Sequence, residues 1–355
     1  MAPCTYSPAD FDTYIGNDVD KKSYCLAIRD RNKVTMTKTI PADPENLYNF
    51  IRHNFGDSRV VVGYEAGPTG FGLYDYMTGR NQSCVVIPTS SIPHAASERV
   101  KTNKIDATKL SSMLKEGDFS PVRVPDEPYR DLRNLIRLRF NYVRGQRVAK
   151  QRIKSLLLYN SLHTACPEIE EGWSGRSIEH LKTLECSQTV RLRLDMLVED
   201  LAYNRAHLLK VDRHMRIFCK NTPEIKDYVR CLCSIPGIGI ITASATLGRI
   251  GNPLNLKGLQ EIGAFVGVVP TEHSTGDNTH RGSITRIGDS DLRSMLVEAA
   301  WISIRHDKEL AQFYNRIKNR HHPAIGSRKA IVAVARKLTL RIYRVLKERR
   351  EYVVR

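Results

Sequence analysis

Apolar residues come in short β-like runs through the first ~115 residues, then recur at helical spacing over most of the remainder. Thr13-Tyr14-Ile15-Gly16, Tyr24-Cys25-Leu26-Ala27-Ile28 and Val34-Thr35-Met36-Thr37 read as three strands. A helical stretch over 44–54 leads into the apolar run Val60-Val61-Val62-Gly63-Tyr64, a buried strand. Cys84-Val85-Val86-Ile87 is another strand, and 105–115 is a helix. Three early strands followed by strand–helix alternation predict a mixed sheet with flanking helices.

Pro121, Pro125 and Pro128 mark a boundary. Beyond them Leu132, Leu135, Ile136, Phe140 and Val143 supply an apolar helical face, with nine basic residues and one acid (Asp131) between Arg130 and Lys154. After the loop Gly172-Trp173-Ser174-Gly175, a second long helix carries Leu194, Leu197, Leu201, Leu208, Val211, Met215 and Phe218 at heptad positions, interrupted by Asn204. One polar residue in such a seam can fix register or oligomer state, and an intramolecular helical hairpin is the equal alternative. From Tyr228 onward the pattern is mostly helical. The expected division is 1–120, a mixed α/β domain; 121–225, a basic helical or coiled-coil linker; and 226–355, a mostly helical C-terminal domain.

Composition turns this pattern toward a polyanion. The 355 residues hold 55 Lys and Arg against 38 acids, a formal charge of +17. Nucleic acid is the default partner for such a balance, and a membrane surface the weaker one. No run of 18 apolar residues exists and the N-terminus has no signal layout, so neither a membrane span nor export is expected. Eight scattered cysteines without a C-x-x-C pair argue against zinc and for a reduced, cytoplasmic setting. The stretch from Arg316 to Arg355 has thirteen Lys and Arg against Glu348 and Glu351, a phosphate-contacting surface in this charge context.

Three constellations could carry chemistry. Asp18, Glu65 and Asp106 follow predicted strands or start a helix, which is how a sheet gathers hard oxygen ligands for Mg²⁺; singly, each reads as a cap or surface charge. Ser234-Ile235-Pro236-Gly237-Ile238-Gly239 resembles a helix-hairpin-helix turn, in which Gly237 and Gly239 would let backbone approach a phosphate. The rival is a turn that serves packing alone. The third is Ser274, in the polar, glycine-bearing segment Thr271-Glu272-His273-Ser274-Thr275-Gly276 that follows Gly267-Val268-Val269-Pro270. A serine hydroxyl can attack a phosphodiester and hold the broken strand covalently. His273, His280, Arg281 and Arg286 are local candidates to activate it, and spacing does not choose among them. Taken alone, the segment reads as a flexible surface loop with Ser274 capping a turn.

In this order the pieces resemble a known family. Tyr14-Ile15-Gly16-Asn17-Asp18, Tyr64-Glu65-Ala66-Gly67-Pro68-Thr69-Gly70, Lys101-Thr102-Asn103-Lys104-Ile105-Asp106-Ala107, the arginine-rich helix, Ile235–Gly239, His273-Ser274-Thr275-Gly276 and the run from Gly288 to Ala300 are similar to the DEDD transposases with a RuvC-like domain, insertion-sequence family one hundred and ten. The resemblance implies an RNase H-like (RuvC-like) N-terminal catalytic domain, a coiled-coil linker and a C-terminal transposase domain. It further implies a recombinase guided by an element-encoded bridge RNA, acting on double-stranded donor and target DNA in the prokaryotic cytoplasm. Asp18, Glu65 and Asp106 fall on its Mg²⁺-binding acidic positions, and Ser274 on its nucleophilic serine. Family members work as tetramers, the acidic site of one subunit facing the serine domain of another. Arg137, Arg144, Arg147, Lys150, Gly237, Gly239, Arg281 and Arg286 are the candidate nucleic-acid contacts. One position departs: Asn103 stands where the family carries its fourth acid. An amide oxygen can coordinate Mg²⁺ but carries no charge and cannot act as a base; Asp20 is the nearby stand-in. The competing functions are a RuvC-like nuclease that uses water, and a catalytically silent nucleic-acid binder.

Overall fold

A computed structural model of the chain describes residues 6–56, 58–93, 102–275, 278–285 and 287–354, with backbone alone at 270–275, 278–281 and 283. The chain forms two compact units, 1–124 and 125–355.

The first unit is built on a five-stranded mixed sheet. Its elements are β1 (Thr13–Val19), β2 (Ser23–Arg29), β3 (Val34–Pro41), α1 (Pro44–Phe55), β4 (Val60–Glu65), α2 (Gly72–Thr78), β5 (Ser83–Ile87) and α3 (Asn103–Glu116). The order is β3-β2-β1-β4-β5, with β1–β3 antiparallel and β4 and β5 parallel to β1. Period-two alternation divides the central strands between two cores. Ile15, Leu26, Val62 and Tyr64 pack with Leu47 of α1 and Met77 of α2. Tyr14, Val61 and Ile87 pack on the other side with Leu110 and Leu114 of α3. Strands buried on both faces explain the near-continuous apolar runs of the sequence.

Two details differ from expectation in this unit. Strand β1 runs on to Val19, paired with Tyr24, so Asp18 lies inside the strand instead of after it. The ladder to β2 continues because Asp20 N–H closes a tight turn onto Ser23 O at 3.1 Å. Helix α2, absent from the sequence reading, forms where Leu73 and Met77 can bury on one side four residues apart.

The second unit is helical except for one hairpin. It comprises α4 (Glu127–Tyr159), α5 (Glu168–Glu171), α6 (Gly175–Thr183), α7 (Gln188–Asn221), α8 (Pro223–Cys233), α9 (Ile240–Ile250), α10 (Leu259–Val266), β6 (Pro270–Thr275), β7 (Asn278–Ile284), α11 (Ser290–His306), α12 (Lys308–Lys318) and α13 (Pro323–Glu348). The seam of α7 packs within the chain: Leu194, Leu197 and Leu201 bury with Ala149, Ile153 and Leu156 of α4. Further along, Met215 joins Leu132 and Ile136. Asn204 sits opposite Gly145, where a Cβ would lie 2.1 Å from its Oδ1, so the polar break in the heptads meets the one α4 position with no side chain. The half-buried pair Arg139 Nε–Asp212 Oδ1, at 2.9 Å, fixes the same antiparallel register. Arg133 donates to Gly248 O and Arg249 O at 2.8 and 3.2 Å, closing the C-terminus of α9. It is thereby withdrawn from the basic face of α4.

The serine segment is not the loop expected. It is an antiparallel hairpin whose register pairs Glu272 with Arg281, His273 with His280 and Ser274 with Thr279. Pairing of 270–275 with 278–284 satisfies the backbone of both polar segments through a ladder, and this outweighs the loop-like composition.

Candidate active site

Asp18, Glu65 and Asp106 lie toward one end of the sheet because two glycines let a helix reach it. A Cβ on Gly16 would lie 2.2 Å from Ala107 O and 2.3 Å from Ser111 N; one on Gly63 would meet Leu114 Cδ2 at 2.7 Å. Helix α3 therefore lies directly on β1 and β4, on the face shared by residues 16 and 63. By alternation Asp18 and Glu65 belong to that face, and the parallel register, Gly16 with Gly63 and Asn17 with Tyr64, sets them side by side one step on. Since Ala107 covers Gly16 while Leu114 packs near Tyr14 and Val61, α3 runs against the strands. Its first turn, with Asn103 and Asp106, is at the same end as the two strand acids.

The cap of α3 is Thr102, whose hydroxyl accepts from Ile105 N–H at 3.4 Å. Asp106 is thus not spent as the cap. It is half-buried, as are Asp18 and Glu65, and Asn103 is exposed. Among the described residues no group of three His, Cys, Asp or Glu side chains stands close enough to hold a metal ion. The side chains toward this end, three carboxylates and one amide, offer only oxygen donors, the kind a hard divalent cation takes. The signal that sequence reading passed over is the pair of glycines within buried strands, the mark of a close approach.

Ser274 lies in the second unit, one residue before the end of β6. The hairpin is rooted by α10 and α11. Gly267 ends α10 in the left-handed conformation, φ +70°, and a Cβ there would meet Arg293 Nη1 and Ile287 O at 2.7 Å. Arg293 Nη1 donates to Val266 O at 2.9 Å, and Thr285 N–H to Val269 O at 2.8 Å. Asp289 caps α11 through Asp291 N and Leu292 N and pairs with Arg249 at 3.4 Å. These contacts fix both ends of the hairpin, whatever its tip does. The side chains of Ser274 and Arg281, and all of Arg286, lie outside the described residues.

The turn between α8 and α9 has two differently used glycines. Gly237, φ +87°, turns its bare Cα inward: a Cβ would lie 2.3 Å from Ala299 O and 2.7 Å from Ser303 Oγ. Ser303 Oγ reaches Pro236 O at 2.6 Å. Gly239 is exposed at the N-cap of α9 with open space beside it. Of the α4 cations, Arg137, Arg144 and Arg147 are exposed. Lys150 is half-buried, 5.8 Å over the Trp173 ring, and burial followed by the nearby Arg205 charge lowers its pKa.

A mixed sheet with carboxylates toward one end and a helical remainder with exposed cations, in a chain of formal charge +17, is compatible with a protein that handles the phosphodiester backbone. Comparison with known proteins narrows this. A profile of IS110-type DEDD transposases matches residues 15–160, and that of the Transposase IS116/IS110/IS902 family matches 229–315. The Sinorhizobium fredii protein named transposase y4qE is 27% identical over 82% of this chain and 72% of its own length. The transposase for insertion sequence element IS1111A of Coxiella burnetii is 24% identical over 75% of this chain and 73% of its own. The pilin gene-inverting protein of Moraxella bovis is 28% identical over 37% and 40%. The chain belongs to the IS110 family of DEDD transposases. As an insertion-sequence transposase it is a DNA-binding enzyme that cleaves and rejoins DNA. No helix among the described residues is long and apolar enough to cross a membrane.

Proposed function

We propose that the chain is a bridge-RNA-guided recombinase that cuts and rejoins DNA through a covalent phosphoserine at Ser274, assisted by a Mg²⁺ site at Asp18, Glu65 and Asp106. The observation that supports the reading is the placement of Asp18 and Glu65 on one face of the sheet, at the end where the first turn of α3 carries Asp106. The strand order β3-β2-β1-β4-β5 supports an RNase H-like catalytic domain over 1–120. A linker over 121–225 and a transposase domain over 226–355 complete the proposed organisation.

In the proposed reaction Ser274 Oγ forms a bond to phosphorus as the P–O bond to the leaving strand end breaks. The Oγ proton passes to a base and the leaving oxygen takes up a proton. The ester so formed conserves the bond for rejoining, when an incoming strand-end hydroxyl displaces Oγ. Bound Mg²⁺ would supply charge stabilisation at the phosphoryl oxygens. Asp18, Glu65 and Asp106 would hold it, with Asn103 as a neutral oxygen ligand. The candidate activators are His273, His280, Arg281 and Arg286; the backbone register pairs Arg281 with Glu272, His273 with His280 and Ser274 with Thr279. Arg137, Arg144 and Arg147, with Gly239 at the start of α9, would contact guide RNA or DNA backbone. In the proposed tetramer the acids of one subunit work with Ser274 of another.

The test is adduct formation. With Mg²⁺, cognate RNA and both DNA substrates, the unmutated chain should give a protein–DNA ester that Ser274→Ala loses together with recombinant product, RNA binding being kept. Normal cutting by Ser274→Ala would instead make the protein a water-using nuclease.

A further inference from the structure

The cations of the α12–α13 hairpin are unevenly employed. Residues 310–347 include ten Lys and Arg and no acid. In the C-terminal half of α13, Glu309 pairs with Lys337 at 2.9 Å and Arg341 at 3.0 Å and Arg341 also binds buried Asp307, while Arg336, Arg344 and Lys347 are exposed and, among the described residues, without an ion pair, spread along about 16 Å of axis. At the other end, where the two helices meet, Lys318, Arg320, Arg328 and Lys329 are exposed, and among the described residues their side chains have no ion pair or hydrogen bond. Arg316, also exposed, lies 5.4 Å over the Phe313 ring.

These charges are close together. A Cβ on Gly326 would come within 2.6 Å of Lys318 O, so the last turn of α12 rests on the first turn of α13. Arg328 and Lys329 follow two and three residues later, about 3–5 Å along the axis at 1.5 Å per residue. The five cations therefore spring from a patch on the order of 10 Å across. The positive end of α13, a helix of 26 residues capped by His322, points to the same place. Leaving so many like charges together and unneutralised costs stability, unless a polyanion completes them.

We propose that this hairpin tip is a docking surface for the phosphate backbone of duplex DNA, made by residues other than those of the acidic end, the serine hairpin and the basic face of α4. Duplex DNA presents one charge per about 1.7 Å of axis, so a footprint of roughly 15 Å offers on the order of nine phosphates, enough for all five cations. The contacts carry no base readout; the tip sets grip and orientation. The choice of DNA over another polyanion rests on the transposase reading.

The test is salt dependence of binding by the full chain to a 30-base-pair duplex of arbitrary sequence, followed by fluorescence anisotropy across KCl concentrations. Each lost phosphate contact should flatten the plot of log K against log salt by about 0.9. Lys318→Gln/Arg320→Gln/Arg328→Gln should flatten it by between about 2 and 3 units, equally for unrelated sequences. The charge-keeping variant Lys318→Arg/Arg320→Lys/Arg328→Lys should retain the parent slope, which separates lost charge from lost fold. A control of equal charge, Lys22→Gln/Lys33→Gln/Arg52→Gln on exposed positions of the first unit, should change it little. A parent-like slope in the tip variant, or equal flattening in the control, overturns the proposal. Flattening seen only with double-stranded RNA overturns DNA as the partner. Failure of the covalent recombinase reading looks different: the Ser274 adduct is missing while the difference in slope between tip and control variants persists.

Discussion

Gly16→Ala is the sharpest perturbation of the acidic end, because the added methyl meets backbone. The new Cβ would lie 2.2 Å from Ala107 O and 2.3 Å from Ser111 N, whereas ordinary contact needs about 3.5 Å. Neither atom can rotate away, so α3 must retreat by roughly 1.2 Å, the difference between these separations. Overpacking of this kind costs about 1–3 kcal/mol, more than the 0.5–1 kcal/mol that alanine gains over glycine in a strand. The functional loss should be larger. The retreat carries the first turn of α3, with Asn103 and Asp106, away from Asp18 and Glu65, and misplacement by about 1 Å can lower a rate on the order of 100-fold. Gly63→Ala is the matched control: it meets only Leu114 side-chain carbons, at 2.7–3.0 Å, which can repack. Both tryptophans, Trp173 and Trp301, belong to the second unit, so fluorescence would not report on the sheet. The assay is hydrogen exchange of β1 and α3 amides, alongside Mg²⁺-dependent strand cleavage. Gly16→Ala should speed exchange throughout α3 and depress cleavage; Gly63→Ala should do so weakly. Parent-like behaviour of Gly16→Ala, or the reverse ranking, would refute the close-approach argument.

Three further outcomes are expected. Asn17 is fully buried beside Leu26 and Tyr64 and both its amide atoms lack partners among the described residues, so the near-isosteric Asn17→Leu should stabilise the first unit by about 1–3 kcal/mol in urea unfolding. In the second unit, burial would raise the Asp307 carboxyl, but hydrogen bonds from Leu310 N–H, Arg341 and Tyr352 outweigh this and hold it below the usual range. Its stabilisation is therefore complete above the ordinary aspartate value near pH 4 and is lost as pH falls through the lowered one. Asp307→Asn leaves Arg341 paired with Glu309 but removes a charge-assisted partner, so it should cost about 1.5–3 kcal/mol at neutral pH and should flatten acid unfolding over that window; an unchanged acid limb in circular dichroism would count against it. Asn103→Asp restores a charged oxygen beside Asp106, and the Mg²⁺ concentration for half-maximal cleavage should drop about tenfold, the effect of roughly 1.4 kcal/mol in metal affinity; an unchanged Mg²⁺ titration would place Asn103 outside the ligand set.

Much was legible in the linear pattern because local burial rules are short-ranged. Val60–Tyr64 and Tyr24–Ile28 had to be strands, being apolar, β-branched or aromatic, and bounded by polar turns. The long amphipathic helices α4 and α7 announced themselves by spacing, and family membership followed from the order of motifs. The pattern could not say what each face would meet. Whether the α7 seam turned to another chain or to α4 was decided by Gly145 opposite Asn204, two residues 59 positions apart whose pairing depends on helix register. Loop-like composition around Ser274 hid a hairpin, since a ladder forms only once both strands are held at their roots by α10 and α11.

The sequence by itself determined most of the elements, α2 and the β6–β7 hairpin apart, together with the polyanionic partner and the residue types capable of phosphoryl chemistry, because charge, spacing and side-chain chemistry are properties of the chain. Only the tertiary structure decided that Asp18 and Glu65 share a face, that α3 brings Asp106 to their end, and that Gly237 is spent on α11 while Gly239 stays open. It also decided which cations remain unneutralised at the α12–α13 tip. These are questions of which surfaces touch. Contact is fixed by close packing between segments far apart in sequence, and no local pattern encodes that.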